Sequence, residues 1–281
     1  MRTIKLTLAY DGTAYAGWQS QPGVTTVQGL LEAALEKITG AAARTLASGR
    51  TDAGVHALAQ VVSFRTQTHL SGEVLRRAIN ANLPDDVVIH EAVDVPAAFH
   101  PIRDVIRKGY RYAIHDGPLR DVFRRRYCWQ VPRRLDADPM SRAAAALLGT
   151  HDFAAFQTQG APRRSTVRTV YRAELCRECQ PQADFLTFQI EANGFLYNMV
   201  RAIVGSLVEI GRGAQSEDWM AKVLASADRR QAGPTAPPQG LFLESVVYGE
   251  PGGASRGGAE PEEEENDECR NSNDEGSSKD E

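Results

Sequence analysis

At 281 residues, with 42% hydrophobic and 24% charged side chains, the chain has apolar material for one large or two modest folded units. No apolar run is long enough for a helical bilayer span, and four cysteines are too few for a disulfide framework. The net charge of −4 divides unevenly: residues 250–281 hold 12 acidic and 3 basic side chains, leaving 24 acidic and 29 basic in residues 1–249, a mild positive excess that suits a polyanionic partner.

The chain enters an alternating pattern at once. Ile4, Leu6, Leu8 and Tyr10 alternate with polar or small residues, which predicts a half-buried strand and argues against a secretory signal. A cytosolic, reducing setting is the expectation. Residues 11–23 read as a loop with three glycines, and Tyr15 and Trp18 in it are expected to cover nearby core rather than stack on bases. Thr26 caps a predicted helix over 27–39, with Leu30, Leu31, Leu35 and Ile38 on one face and Gly40 ending it. A short strand precedes, and a clear strand over 60–65 follows, the stretch Ala47-Ser48-Gly49-Arg50-Thr51-Asp52-Ala53-Gly54-Val55-His56-Ala57. Ser71 caps a predicted helix to Asn82, and Val87, Ile89 and Val93 mark a further strand. Strand, helix, strand, strand, helix, strand is the order of a ferredoxin-like split βαβ unit, with helices on one face of an antiparallel sheet and the open face a natural platform for RNA.

Beyond residue 105 the pattern resumes. Residues 108–114 predict a strand whose Lys108, Tyr110 and Tyr112 share a face. Arg124, Arg125, Arg126, Arg133 and Arg134 then cluster, either as a phosphate-binding patch or as a solvated hairpin surface. Asp136 opens a predicted Ala-rich helix running to Gly149, and Phe153 and Phe156 anchor the loop after it, in which Arg163 and Arg164 are candidate RNA contacts. Residues 166–176 and 185–191 predict an antiparallel strand pair, 195–210 the strongest helix in the chain, 219–227 another helix, and 241–248 a last strand. Arg201 lies on the flank of the apolar stripe of the 195–210 helix. From Gly249 the composition turns to Gly, Ser, Asn and acidic residues, too apolar-poor to offset the entropy of ordering, so an acidic disordered tail is expected. It is also expected to compete with RNA for the basic body. Cys176 and Cys179 form a lone C-x-x-C without the second ligand pair a zinc site needs, and no metal is expected.

Nothing in residues 47–57 reads as core. By spacing alone, Arg50 and Asp52 could be an exposed pair of little energetic weight. Gly49 and Gly54 flank the pair on a tight loop between two strands, which can also present a catalytic group, but spacing alone favours the exposed pair and it is the identity of the stretch that changes this. Gly-Arg-Thr-Asp-Ala-Gly-Val-His-Ala (49–57) closely resembles the catalytic loop of the tRNA pseudouridine synthase A family. Further resemblances follow in family order at Gly149–Phe153, Val167–Val170, Asn193–Arg201 and Ala236–Leu241, and together they span residues 1 to about 248.

The resemblance implies an α+β fold of two ferredoxin-like, RRM-like halves, residues 1–105 and 106–248, whose mainly antiparallel sheets join, with helices on one side and an RNA-binding cleft on the other. It implies a cytoplasmic homodimeric isomerase that forms pseudouridine at positions 38, 39 and 40 of the tRNA anticodon stem-loop. It implies no cofactor, metal or membrane. Asp52 would be the nucleophile and Arg201 its ion-pair partner. Arg50 would contact phosphate or fill the gap left by the extruded base, Tyr110 would stack on the target uracil, and Leu241 would line the base pocket. His56 and His151 are expected to be structural. Ile102 departs from the family pattern, which has an arginine there, and Arg103 is the candidate substitute.

Two other functional classes share part of this pattern. An RNA-binding or chaperone protein with this fold and no catalysis would not need Arg50, Asp52, Tyr110 and Arg201 together. A carboxylate-dependent hydrolase would want a metal cluster or a second positioned acid.

Overall fold

A computed structural model describes residues 1–158, 165–177 and 184–249. The predicted RNA contacts Arg163 and Arg164, two of the cysteines (Cys179 and Cys269), and the acidic segment from residue 250 lie outside these.

The first four strands are β1 (Arg2–Tyr10), β2 (Thr45–Ala47), β3 (His56–Thr66) and β4 (Val87–Val95), with helices α1 (Val27–Thr39) and α2 (Gly72–Asn80) between them. β1 pairs antiparallel with both β3 and β4, and β2 pairs antiparallel with β3. The spatial order is therefore β4-β1-β3-β2. Next come β5 (Val105–His115), β6 (Trp129–Gln130), α3 (Ala137–Ala145), β7 (Gly149–Asp152), β8 (Val167–Arg177), β9 (Phe185–Ala192), α4 (Met199–Gly211), α5 (Trp219–Ser226) and β10 (Leu241–Tyr248). Here β10-β5-β9-β8 repeats the same split βαβ order, and all ten strands join in one sheet.

The junction is made at a shared strand edge. β2 occupies one end of the outer edge of β3, where Thr45 faces Phe64. β10 takes the other end, parallel, with Phe242 facing His56 and Leu243 facing Ala57. The loop carrying Asp52 leaves where β3 exchanges one partner for the other.

Apolar periodicity builds two cores. Ile4, Leu6 and Leu8 of β1 meet Leu31 and Leu35 of α1 and Leu75 and Ile79 of α2 in the first. Nearly every side of α4 is buried in the second, with Phe153, Phe156, Phe188 and Ile190. The seam between them is crossed by single segments. Val55 enters the second core and Ala57 the first; Leu241 enters the second and Leu243 the first; Tyr110 packs against both.

Several boundaries differ from the sequence reading. α4 begins at Met199, not Phe195, because Asn198 adopts a left-handed backbone (φ 59°) that cannot propagate a right-handed helix. α3 ends at Ala145, since a turn through residues 146–148 leads into β7, whose first residue Gly149 has φ +97°. α2 stops at Asn80, where the Asn80 side chain bonds both the N–H and the C=O of Ile89 and ties the helix end to β4. β3 starts at His56, so the last residues of the motif are strand rather than loop. The short β6 and β7 have no periodic signature and were not anticipated.

Candidate active site

Asp52 sits on the loop between β2 and β3, which is braced from beneath. Gln60, fully buried on β3, donates to the Gly49 carbonyl (2.8 Å) and accepts from the Ser48 hydroxyl (2.7 Å). Tyr10 shares a 2.7 Å hydrogen bond with the Thr51 hydroxyl, and burial pushes its own pKa up to about 12, so it stays a neutral phenol. The Trp18 backbone N–H donates to the Thr51 carbonyl, and Lys108 Nζ donates to the Ser48 carbonyl. Gly17, with φ +97°, brings its backbone against Thr51 so closely that no side chain would fit. A buried polar network fully satisfied in this way fixes one loop geometry.

The Asp52 carboxylate then meets Arg201 of α4. Arg201 Nη1 lies 3.1 Å from Asp52 Oδ2, the side chains being 16% and 30% exposed. The same Nη1 donates to Asn198 Oδ1 (2.8 Å), and Nε donates to the Ala236 carbonyl (2.7 Å). The left-handed turn at Asn198 that delays α4 is thus also what aims its amide at Arg201. Ala236 N–H returns a bond to the Arg201 carbonyl (3.0 Å), so the segment before β10 clamps the arginine from the other side. A guanidinium held by two neutral acceptors offers its charge in a fixed direction.

Tyr110 completes the neighbourhood. Its ring stands edge-on to Phe195, centroids 4.9 Å apart. Its pKa is raised by burial, with the charge of Asp52 adding to the shift, which keeps the hydroxyl protonated. Leu241 is buried in the second core, opposite Tyr112 in the β10–β5 register. Arg50 is exposed on the loop, two residues before Asp52. Of the five expected site residues, the fold joins Asp52 and Arg201 directly and sets Tyr110 within electrostatic reach of Asp52.

The two histidines of the motifs, His56 and His151, are each held by hydrogen bonds to backbone. His56 is buried, stacked on Phe242 at 4.7 Å; its Nδ1 accepts from Gly12 N–H (3.1 Å) and its Nε2 donates to the Arg126 carbonyl (3.1 Å). Burial lowers its pKa despite Asp11 nearby, favouring the neutral ring. His151 Nε2 bonds the Leu148 carbonyl, and Asp152 accepts from Ala154 N–H. Tyr15 and Trp18 are buried, as expected of core cover. The arginine cluster divides: Arg134 pairs with Asp184 (2.8 Å), while the guanidinium of Arg124 lies over the Phe185 ring. Arg103 is engaged locally with Asp104 and the Ala98 carbonyl. Cys128 is buried, its thiol pushed up to about 11 by burial, and Cys176 is exposed. Among the described residues no group of three or more His, Cys, Asp or Glu could hold a metal, and no helix is long and apolar enough to cross a membrane.

Sequence reasoning missed the support of this site: Gln60, Tyr10, Lys108, Asn198 and the Ala236 carbonyl. Only Asn198 carried a signal, three residues before Arg201 and hence one helical turn away.

A family model described as tRNA pseudouridine synthase matches residues 7–102 and 143–249. The chain is 45% identical over 248 residues to tRNA pseudouridine synthase A of Thermoanaerobacter pseudethanolicus, covering 88% of this chain and 100% of that one. It is 46% identical over 250 residues to tRNA pseudouridine synthase A of Moorella thermoacetica (88% and 100%). With the Halalkalibacterium halodurans protein of the same name it shares 48% over 243 residues (86% and 91%). These matches run through both members of an ion pair closed across 149 residues of chain, and the chain belongs to the tRNA pseudouridine synthase A family.

Proposed function

We propose that this protein isomerises uridine to pseudouridine at positions 38, 39 and 40 in the anticodon stem-loop of tRNA, with Asp52 as the nucleophile. The bond between N1 of uracil and C1′ of the ribose breaks, the base turns, C5 bonds to C1′, C5 gives up its proton, and N1 takes up a proton in its place. Atoms and electrons balance within the nucleotide, so no cofactor or second substrate is required.

The observation that carries this reading is the 3.1 Å contact of Arg201 with Asp52. A carboxylate covered by RNA would be costly to keep ionised without such a partner, and an ionised carboxylate is what each route requires: attack on C1′, addition to the uracil ring, or removal of the C2′ proton. Tyr110, protonated and apolar-faced, suits stacking on the uracil and proton transfer at its edge. Leu241 gives the base an apolar wall. Arg50 suits a phosphate or the gap left in the stem by a flipped-out nucleotide, a step that costs a few kcal/mol and least near a loop. Reaching three adjacent positions with one aspartate calls for recognition of shape and backbone, and in the same reading the protein is a cytoplasmic homodimer.

The test is site-resolved pseudouridine detection on unmodified tRNA transcripts, comparing wild type with Asp52→Asn. Conversion by wild type and none by the variant, with RNA binding kept, is the expected result. A folded wild-type protein that binds tRNA and converts no uridine would move the assignment to an RNA-binding protein.

A further inference from the structure

Residues 117–127 connect β5 to β6 as an arm with no helix or strand of its own. Its root is clamped. Asp121 Oδ1 accepts from the N–H groups of Phe123 and Arg124, both at 2.9 Å, and Arg124 lies over the Phe185 ring, 4.4 Å from its centroid. The Tyr127 hydroxyl donates to Asp11 Oδ2 (2.8 Å), the Tyr127 ring stands 5.3 Å from that of His56, and the Arg126 carbonyl accepts a hydrogen bond from His56 Nε2. His56 is four residues beyond Asp52, so the clamp fixes the arm to the segment that carries the nucleophile.

The tip is the opposite of its root. Phe123 is 88% exposed and Leu119 81%. They stand among Arg120, Arg124, Arg125 and Arg126, with Asp121 the single acid of the arm. An apolar ring held out in water by a braced turn, within a net +3 segment, matches a partner with flat π-faces and closely spaced negative charge.

We propose that residues 119–126 form an RNA-gripping arm, in which Phe123 stacks on an unpaired base of the tRNA while Arg120 and Arg125 hold the adjoining phosphates. The inference rests on tRNA being the substrate, but not on Asp52 being the nucleophile.

Full-length Phe123→Ala, Phe123→Trp and the double variant Arg120→Ala/Arg125→Ala test it, by Kd for tRNA across a salt series, KM and kcat. Phe123→Ala is expected to raise Kd and KM roughly tenfold, with kcat, melting temperature and the salt slope at wild-type values, because stacking releases no counterions. Phe123→Trp restores affinity. The double arginine variant lowers the slope of log Kd against log salt by more than about one unit. Affinity within twofold of wild type in Phe123→Ala, or no rescue by Trp, overturns the proposal. So does a change in sedimentation with unaltered RNA affinity, which would make the arm a protein–protein contact. Phe123-dependent binding without conversion would sink the nucleophile assignment and leave the arm standing.

Discussion

Three acceptors surround the Arg201 guanidinium: Asp52 Oδ2, Asn198 Oδ1 and the Ala236 carbonyl. A lysine keeps the charge but not the planar fork, so it can satisfy the carboxylate or the carbonyl in good geometry, not all three. Arg201→Lys is expected to slow single-turnover conversion about 100-fold, the scale of losing one aligned charge-assisted donor at a reacting centre. Its melting temperature should fall by only about 3 °C, corresponding to roughly 1 kcal/mol in a chain of this size. Single-turnover kinetics beside a thermal melt decide it; conversion within threefold of wild type would remove Arg201 from the machinery. At this scale the sequence was partly legible. Residues 49–57 and 193–201 named Asp52 and Arg201 through their resemblance to a family, whereas Gln60 and Lys108 sit in ordinary strand patterns. Their work depends on a loop carbonyl being brought within reach by folding.

Capping shows where local chemistry suffices at the scale of an element. Thr26 accepts from Gly29 N–H and Gly40 takes the left-handed conformation, so α1 begins and ends where the sequence says it should. The start of α4 was not legible, because Asn198 gains its amide partner only once Arg201 and Thr158 are in place. The far side of α4 makes a sharper demand. Gly205 packs against the Pro234 carbonyl with no room for a Cβ, and Ser206 Oγ accepts from Gly233 N–H at 2.9 Å. This contact holds the 233–236 segment whose Ala236 carbonyl anchors Arg201. Gly205→Ala is therefore expected to destabilise the fold by roughly 2–3 kcal/mol, an overpacking cost, and to lower activity beyond that through the displaced anchor. Urea unfolding would measure the first part and conversion at a temperature where the variant is folded the second; a wild-type unfolding midpoint would disprove the contact.

Across the whole molecule the charge division has a consequence for RNA affinity. A chain ending at Gly249 loses 12 acidic and 3 basic side chains and keeps an excess of 5 positive charges. Screening weakens long-range repulsion between the acidic segment and RNA as ionic strength rises. The shortened chain is thus expected to bind tRNA more tightly at low salt, with the gap closing towards physiological salt. Equal affinities in a low-salt titration would make the segment a bystander.

What the sequence determined by itself is whatever depends on neighbours in the chain. That includes the strand and helix periodicities, the caps at Thr26, Ser71 and Asp136, and the special loop between β2 and β3. Tertiary structure alone decided that β3 would divide one edge between β2 and β10, and that Val55 and Ala57 would anchor in different cores. It also decided that an arginine 149 residues away would close on Asp52. These are contacts between segments distant in the chain. Their free energy comes from burial and charge pairing that exist only after both cores have formed, and a sequence pattern records each partner without recording the meeting.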